Sequence, residues 1–218
     1  MAQLLRLTFA SSVLLSGFAT CGAVSLLPAG DVPLPGGTLG SVAGTLLEDT
    51  SRALVGLDAF NNVRFTGTLY LRVVRATVTG KLDFHYQIKN DGSSLDAIKR
   101  MTTTNFDGFT TDVDWHVDTG TLSASRADRT TDSSSIGFRF QKASRGGFGE
   151  LTPGLLSRWM VIRTDADHYS IGSTSVIDGG VANVESFAPV TAPVPEPVTM
   201  ALGAAALGMA AWRRRRSA

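Results

Sequence analysis

The sequence predicts an all-β protein, an antiparallel β-sandwich with the jelly-roll as its more specific form. Apolar and polar residues alternate in several runs, and a period of two is typical of strands with one buried face. Turn-forming Asn-Asp-Gly, Asp-Gly and Asp-Gly-Gly sequences at 90–92, 107–108 and 178–180 separate the runs and favour antiparallel pairing. The alternating residues are Leu82, Phe84, Tyr86 and Ile88; Val113, Trp115 and Val117; Ile136, Phe138 and Phe140; and, with one parity, Val63, Phe65, Leu69, Leu71 and Val73.

Composition excludes several classes of protein. The chain has 218 residues, 43% hydrophobic and 18% charged, which is too apolar for a disordered polyelectrolyte. Its single cysteine cannot form an internal disulfide. Residues 24–190 contain fifteen Lys and Arg against eighteen Asp and Glu, a net charge of −3. A body without a basic stripe cannot neutralise phosphates, so we expect no nucleic-acid partner.

Proline positions suggest the domain boundaries, because seven of the eight prolines lie near the two ends and only Pro153 lies between them. About 150 residues can bury one core, for which we predict Phe84, Tyr86, Trp115, Phe138 and Phe140. The best helix candidate is a short one over 94–100. We therefore predict a signal peptide at 1–23, a linker at 24–37, a β-sandwich domain at 38–188, a proline-rich linker at 189–197, a transmembrane helix at 198–212 and a basic cytoplasmic tail at 213–218.

The N-terminal segment has the three parts of a secretory signal. Arg6 precedes an apolar stretch from Leu7 to Phe18, and small residues follow from Ala19 to Ala23. We expect signal peptidase to cleave near Ala23. The alternative is a lipoprotein anchored through Cys21, although Phe18-Ala19-Thr20 departs from the usual bacterial lipoprotein signal.

The C-terminal segment also has three parts. Val194-Pro195-Glu196-Pro197 precedes an apolar run from Val198 to Trp212, and Arg213, Arg214, Arg215 and Arg216 follow. Fifteen helical residues span roughly 22 Å, short of a hydrocarbon core of about 30 Å, but arginine side chains can reach the headgroups. A basic run stays on the cytoplasmic side, which leaves the body outside.

This tail closely resembles the PEP-CTERM sorting signal of Gram-negative bacteria. The resemblance implies processing by an exosortase, a membrane protease, near Pro-Glu-Pro during export, and exopolysaccharide as a candidate partner. The body is similar to secreted domains that accompany this tail, in the stretches 80–90, 109–114 and 164–179. That second resemblance implies architecture only, and neither implies a cofactor.

A calcium site is the strongest candidate metal site. Asp112, Asp114 and Asp118 lie with His116 on one face of a predicted strand, and carboxylate oxygens at that spacing can hold Ca²⁺. The polar face of a half-solvated strand has the same pattern and needs no ion. A site made only of oxygens would also not include His116, so we predict no bound metal or cofactor.

Other reactive residues have simpler explanations. Asp118-Thr119-Gly120 matches the aspartic-protease triplet, but those enzymes need two copies, and we predict a hairpin turn. Asp165, Asp167 and His168 follow the predicted strand 159–162 in a loop, where such residues are solvated or cap a turn. His85 has the opposite parity to Phe84 and Tyr86, which predicts that it faces solvent.

Two classes of function remain. We favour a non-catalytic surface or extracellular-matrix protein, for which Tyr70 and Tyr169 are candidate exposed aromatics that could contact sugars. The alternative is a secreted hydrolase acting on glycans, which needs two carboxylates about 5–9.5 Å apart, one with a raised pKa. Distant strands can supply such a pair without any local motif.

Overall fold

The computed structural model describes residues 23–34, 43–116, 120–140 and 149–191. Residues 1–22 of the predicted signal peptide, which include Cys21, lie outside these ranges, as do Asp118 and the tail with Pro-Glu-Pro and Arg213–Arg216. Within them the regular elements are twelve strands and no helix, so the all-β prediction is confirmed. The strands are β1 (Val24–Ser25), β2 (Asp31–Pro33), β3 (Gly44–Leu57), β4 (Val63–Ala76), β5 (Leu82–Asn90), β6 (Arg100–Thr104), β7 (Thr111–His116), β8 (Arg126–Arg129), β9 (Ser135–Arg139), β10 (Trp159–Thr164), β11 (His168–Asp178) and β12 (Gly180–Val190).

The strands form one antiparallel sheet in the order β1-β7-β10-β5-β4-β3-β12-β11-β6-β9-β8-β2. Its two end strands, β1 and β2, are separated by residues 26–30 alone. Six residue steps span at most about 20 Å, so the first and last strands must lie close together and the sheet nearly closes on itself. Both end strands fall within 24–37, the segment that we expected to be a linker.

Residues 26–30 join the two edges of the sheet, and we call this region the seam. The main-chain N–H of Leu26 donates to the oxygen of Thr111 on β7 at 2.8 Å. On the other side, the N–H of Ala29 donates to Thr130 at 3.2 Å, and that of Arg129 donates to Gly30 at 2.9 Å. The Leu26 side chain is buried in the core. The seam is therefore held by hydrogen bonds on both sides and by an apolar anchor.

Arg129 spans the seam from β8. Its side chain is 6% exposed, and each of its five guanidinium N–H groups has an acceptor. Burial lowers the pKa of the Arg129 guanidinium. The ordinary pKa of a guanidinium is so high that the group still stays charged. No carboxylate among the described residues forms an ion pair with it. The acceptors, at 2.7–3.3 Å, are the main-chain oxygens of Leu26, Phe106, Phe109 and Ser133 and the Thr111 hydroxyl.

The predicted core residues are buried. Phe84, Tyr86, Phe138 and Phe140 are at most 1% exposed. The Tyr86 hydroxyl donates to the main-chain oxygen of Phe187 at 3.0 Å, which satisfies a polar group that burial would otherwise leave without a partner. The last of the five, Trp115, is 7% exposed, with the Arg158 guanidinium 4.5 Å from its ring centroid.

The helix expected over 94–100 is wrong. Ile98 instead forms a bridge with Leu151, and β6 begins at Arg100. The Ser94 hydroxyl accepts from the N–H of Thr66 and donates to its oxygen, at 3.0 and 2.9 Å. Because the polar groups of this segment pair with distant strands, no helical hydrogen bonds within the segment are needed.

Replacing Arg129 by alanine should lower the free energy of unfolding by roughly 3–5 kcal/mol, since several buried carbonyls lose their donor together. Urea unfolding of the full-length chain measures this. Arg52 lies half-buried on β3 and, within the described ranges, bonds to its neighbours Thr50 and Ser51, so Arg52→Ala should cost less than about 1 kcal/mol. Equal losses in the two variants would contradict the role assigned to Arg129.

Candidate functional site

A groove of about 680 Å³ lies beside the seam, and we call it the seam groove. Its walls come from the end of β8, the 130–134 turn, β9 and the residues before β2. Hydroxyl and carboxylate groups dominate, and no aromatic residue is among the described lining. The lining residues are Ala29, Gly30, Asp31, Asp128, Arg129, Thr130, Thr131, Asp132, Ser134, Ser135 and Arg139.

An arginine–aspartate network fixes one wall of the groove. Strand register places Arg126, Arg139 and Arg100 side by side across β8, β9 and β6. Three adjacent like charges would repel one another. Asp31 and Asp128 are opposite each other on β2 and β8 and supply the compensating charge.

The ion pairs of this network are short. Arg100 Nη1 donates to Asp128 Oδ1 at 2.9 Å, and Arg100 Nη2 donates to Asp128 Oδ2 at 2.7 Å. The Arg139 Nε lies 3.1 Å from Asp128 Oδ1. The Arg126 Nε lies 2.8 Å from Asp31 Oδ1, and this hydrogen bond holds the pKa of Asp31 below its usual value. The side chains are partly exposed, so each pair contributes little stability but has a defined position.

Gly137 makes room for the network. It lies between Asp128 and Thr102 in the sheet, and a Cβ atom there would collide with the Arg100 guanidinium. Only glycine lets the Arg100–Asp128 pair lie flat across β9.

Asp132 occupies the turn at the other wall of the groove. Its carboxylate accepts from the Thr130 hydroxyl, at 2.5 Å, and from the N–H and hydroxyl of Ser134. These hydrogen bonds, that of Thr130 first, lower the pKa of Asp132. The groove thus presents carboxylates, hydroxyls and two arginines, which can exchange hydrogen bonds with a polyhydroxylated ligand.

A second polar cluster lies on the outward face of β4, β5, β10 and β7, and we call it the histidine face. Register aligns Arg72, His85, Val161 and Asp114 in one row across these strands. In the next row His116 is opposite Trp159.

Ring contacts tie this face together. The His85 and His116 rings stack with centroids 5.3 Å apart and planes 7° from parallel. Trp159 meets His85 edge-on at 6.4 Å, and the Arg72 guanidinium lies 4.3 Å from the Trp159 centroid. The outward side of the sheet is therefore covered here by its own side chains.

His85 is buried, and the prediction that it faces solvent is wrong. It does lie on the outward face, but only 1% of it is exposed, and neither ring nitrogen has a hydrogen-bond partner among the described residues. Burial, followed by the charges of His116, Arg72 and Arg163, lowers the pKa of His85 to about 3. The alternation was interpreted correctly, but it does not show what neighbouring strands place over a side chain.

Asp83 is the second perturbed group on this face, two residues before His85. It is half-buried opposite Arg163, without a hydrogen bond or ion pair to any described residue. Burial raises its pKa to about 6, and Arg163 offsets only part of that shift. A carboxyl group whose pKa is raised this far by burial is a functional candidate.

The residues of the candidate calcium site differ in exposure and in their contacts. Asp112 is exposed, whereas Asp114 is 3% exposed and its Oδ2 lies 3.5 Å from Arg163 Nη2. His116, 6% exposed, stacks on His85. Within the described ranges no three acidic, histidine or cysteine residues are grouped to hold a metal ion. Because Asp118 lies outside those ranges, the complete calcium set stays a prediction.

Asp165, Asp167 and His168 have different surroundings. Asp165 accepts from the N–H of Thr110 at 3.0 Å, and Asp167 pairs with Lys81 Nζ at 2.7 Å. His168 is exposed at the start of β11. These contacts match the capping and solvated alternatives given above.

The two candidate sugar-binding tyrosines differ. Tyr70 is half-buried on β4. Tyr169 was expected in a loop, which is wrong: it lies in β11, donates its hydroxyl to Glu48 Oε1 at 2.7 Å and packs edge-on against Phe187. Tyr169 is therefore engaged in packing and is a poor sugar platform.

Comparison of the chain with protein-family models, curated proteins and solved structures finds no match. In the part of the chain that the structure describes, no helix is long and apolar enough to cross a membrane.

Proposed function

We propose that the protein is an exported PEP-CTERM-type surface or extracellular-matrix component that an exosortase-like protease processes. The observation that carries the proposal is the order of Pro195-Glu196-Pro197, the apolar run to Trp212 and the Arg213–Arg216 cluster. Signal peptidase acts at the other end, and the C-terminal helix anchors the chain in the cytoplasmic membrane until it is cut. The last strand ends at Val190, four residues before the Val194 that opens the motif, which supports a tail separate from the fold.

We also propose that the curved sheet packs as a sandwich, with jelly-roll connectivity as the finer form of that expectation. Contacts between strands distant in the sheet order support this arrangement. Phe84 on β5 meets Phe106, next to β6, at 5.5 Å between ring centroids, and the Tyr86 hydroxyl lies 3.3 Å from Thr103 Oγ1 on β6.

Within this role the seam groove is the proposed polysaccharide contact, without catalysis. Its hydroxyls and carboxylates can hydrogen-bond to sugar hydroxyls, and the network around Asp128 orders part of its wall before binding. Ordered polar groups lose little conformational entropy on binding. Because the described lining offers no aromatic platform, we expect weak binding that is strengthened by repeated units of the polymer.

A secreted glycan hydrolase is the second candidate, and Asp83 is the observation that favours it. Its raised pKa suits a general acid. Asp83 and Asp112 are on the two strands that flank β10, so their Cα atoms are roughly 10 Å apart. Arg163 lies between them, which places a cation where a sugar would have to sit. For that reason we rank this candidate second.

Export and processing should yield a mature chain that begins near residues 20–24 and ends near Glu196. Intact-mass measurement of protein recovered from the cell surface or medium tests this directly. A mass that retains Arg213–Arg216 would contradict exosortase processing. A lipid adduct at Cys21 would favour the lipoprotein alternative.

Filling the seam groove should weaken polysaccharide binding. Thr131 is an exposed lining residue, so Thr131→Arg should reduce co-sedimentation with insoluble or cross-linked polysaccharides at least tenfold. The control is Val78→Arg, which adds the same side chain in the exposed β4–β5 turn. Equal binding by the two variants would exclude the groove, and glycan cleavage that Asp83→Asn abolishes would favour the hydrolase.

A further inference from the structure

The outward face of β5 carries two neighbouring ionisable groups, His85, which is buried, and Asp83, which is half-buried opposite Arg163. His85 is 1% exposed, and in the part of the chain that the structure describes neither of its ring nitrogens is hydrogen-bonded. Asp83, two residues earlier on the same face, has no hydrogen bond or ion pair to any described residue. A buried group of this kind costs less free energy when it is neutral.

The surrounding charges point the same way for His85. Arg72 faces it from β4, Arg163 and Trp159 lie on β10, and His116 stacks on it from β7. A proton on His85 would therefore be repelled by two arginines.

Two acids near His85 form ion pairs with arginines. Asp114 on β7 lies 3.5 Å from Arg163, and Asp49 on β3 lies 3.2 Å from Arg72. Asp112, on the same face of β7, is exposed and lies opposite Arg163. Asp83 is an acid whose anion burial disfavours.

We propose that Asp83 and His85 form an inverted protonation pair: in mild acid the folded chain keeps the proton on the carboxyl and leaves the imidazole neutral. In an open or unfolded chain the same two groups have the ordinary order, with an ionised aspartate and a charged histidine. When the face opens in mild acid, one proton therefore moves from Asp83 to His85, and no proton is taken up from solution. The stability of the face then does not change with pH over that window.

The sign of each contribution follows from linkage. The pKa of His85 is about 3 in the fold, against an ordinary value of about 6.5, so its stabilising contribution is lost as pH falls between them. The pKa of Asp83 is about 6 in the fold, against an ordinary 3.8, so its stabilising contribution is gained as pH falls between them. The two windows overlap between about pH 4 and 6, where the effects oppose each other.

Four forms of the full-length chain in detergent micelles test the pair: wild type, Asp83→Asn, His85→Phe and the double variant. Phenylalanine keeps a ring to stack on His116. Relative to the double variant, the unfolding constant of Asp83→Asn should rise as pH falls from 6 to 4, and that of His85→Phe should fall. Each change should be at least tenfold and at most a hundredfold, because one proton gives up to tenfold per pH unit. The wild type should change less than threefold.

Two control variants, Asp107→Asn in the exposed turn after β6 and His168→Phe at the exposed start of β11, should follow the wild-type profile. Parallel profiles for all four test forms would overturn the proposal. If a variant fails to fold, carbon-13 and nitrogen-15 NMR of the wild type decides at pH 5. We expect a protonated Asp83 carboxyl and a neutral His85. An ionised Asp83 or a charged His85 would overturn the pair.

Discussion

The Arg129 guanidinium is the interaction on which the closure of the sheet depends. Two end strands of two and three residues cannot hold an edge by their ladder bonds alone. Arg129 adds five side-chain hydrogen bonds at the same place, reaching the seam, β7 and the loops on either side of it. Since all its acceptors are neutral, its charge is dispersed over carbonyl and hydroxyl dipoles rather than neutralised by a carboxylate.

Closure at the seam also explains where the seam groove lies. The chain leaves β8 at Arg129, turns at Thr130–Asp132 and returns as β9, so the same residues that hold the seam border the groove. The Arg100–Asp128 pair stiffens that wall from the neighbouring strands. The histidine face differs in kind, because there polar side chains cover one another.

The sequence predicted the parts of the fold that depend on local periodicity. Phe84 and Tyr86 with Phe138 and Phe140 lie in the core, and the turn glycines at 108 and 179 adopt positive φ as their Asp-Gly settings indicate. It did not predict β1 and β2, which are too short and too close to Pro28, Pro33 and Pro35 to show an alternating pattern.

The candidate site was harder to predict because its residues meet through register across the sheet. His85 and His116 stack although 31 positions separate them, and Arg100 reaches Asp128 across β9. No local spacing records such pairs. Alternation did place Asp83 and His85 on one face, but their burial depends on Arg72 and Trp159 from other strands. The proposed terminal sorting signals are the reverse case, since they are recognised by the linear order of their residues.

Hydrogen exchange of the main-chain amides of Leu26, Ala29 and Arg129 tests the central role of the Arg129 seam most directly. In the wild type these amides should exchange as slowly as those of Leu71 and Tyr86 in the middle of the sheet, because both open only with the whole fold. In Arg129→Lys, which keeps the charge but offers at most three donors, the seam amides should exchange at least a hundredfold faster while Leu71 and Tyr86 keep most of their protection. Fast exchange at the seam in the wild type, or unchanged protection in Arg129→Lys, would contradict the account.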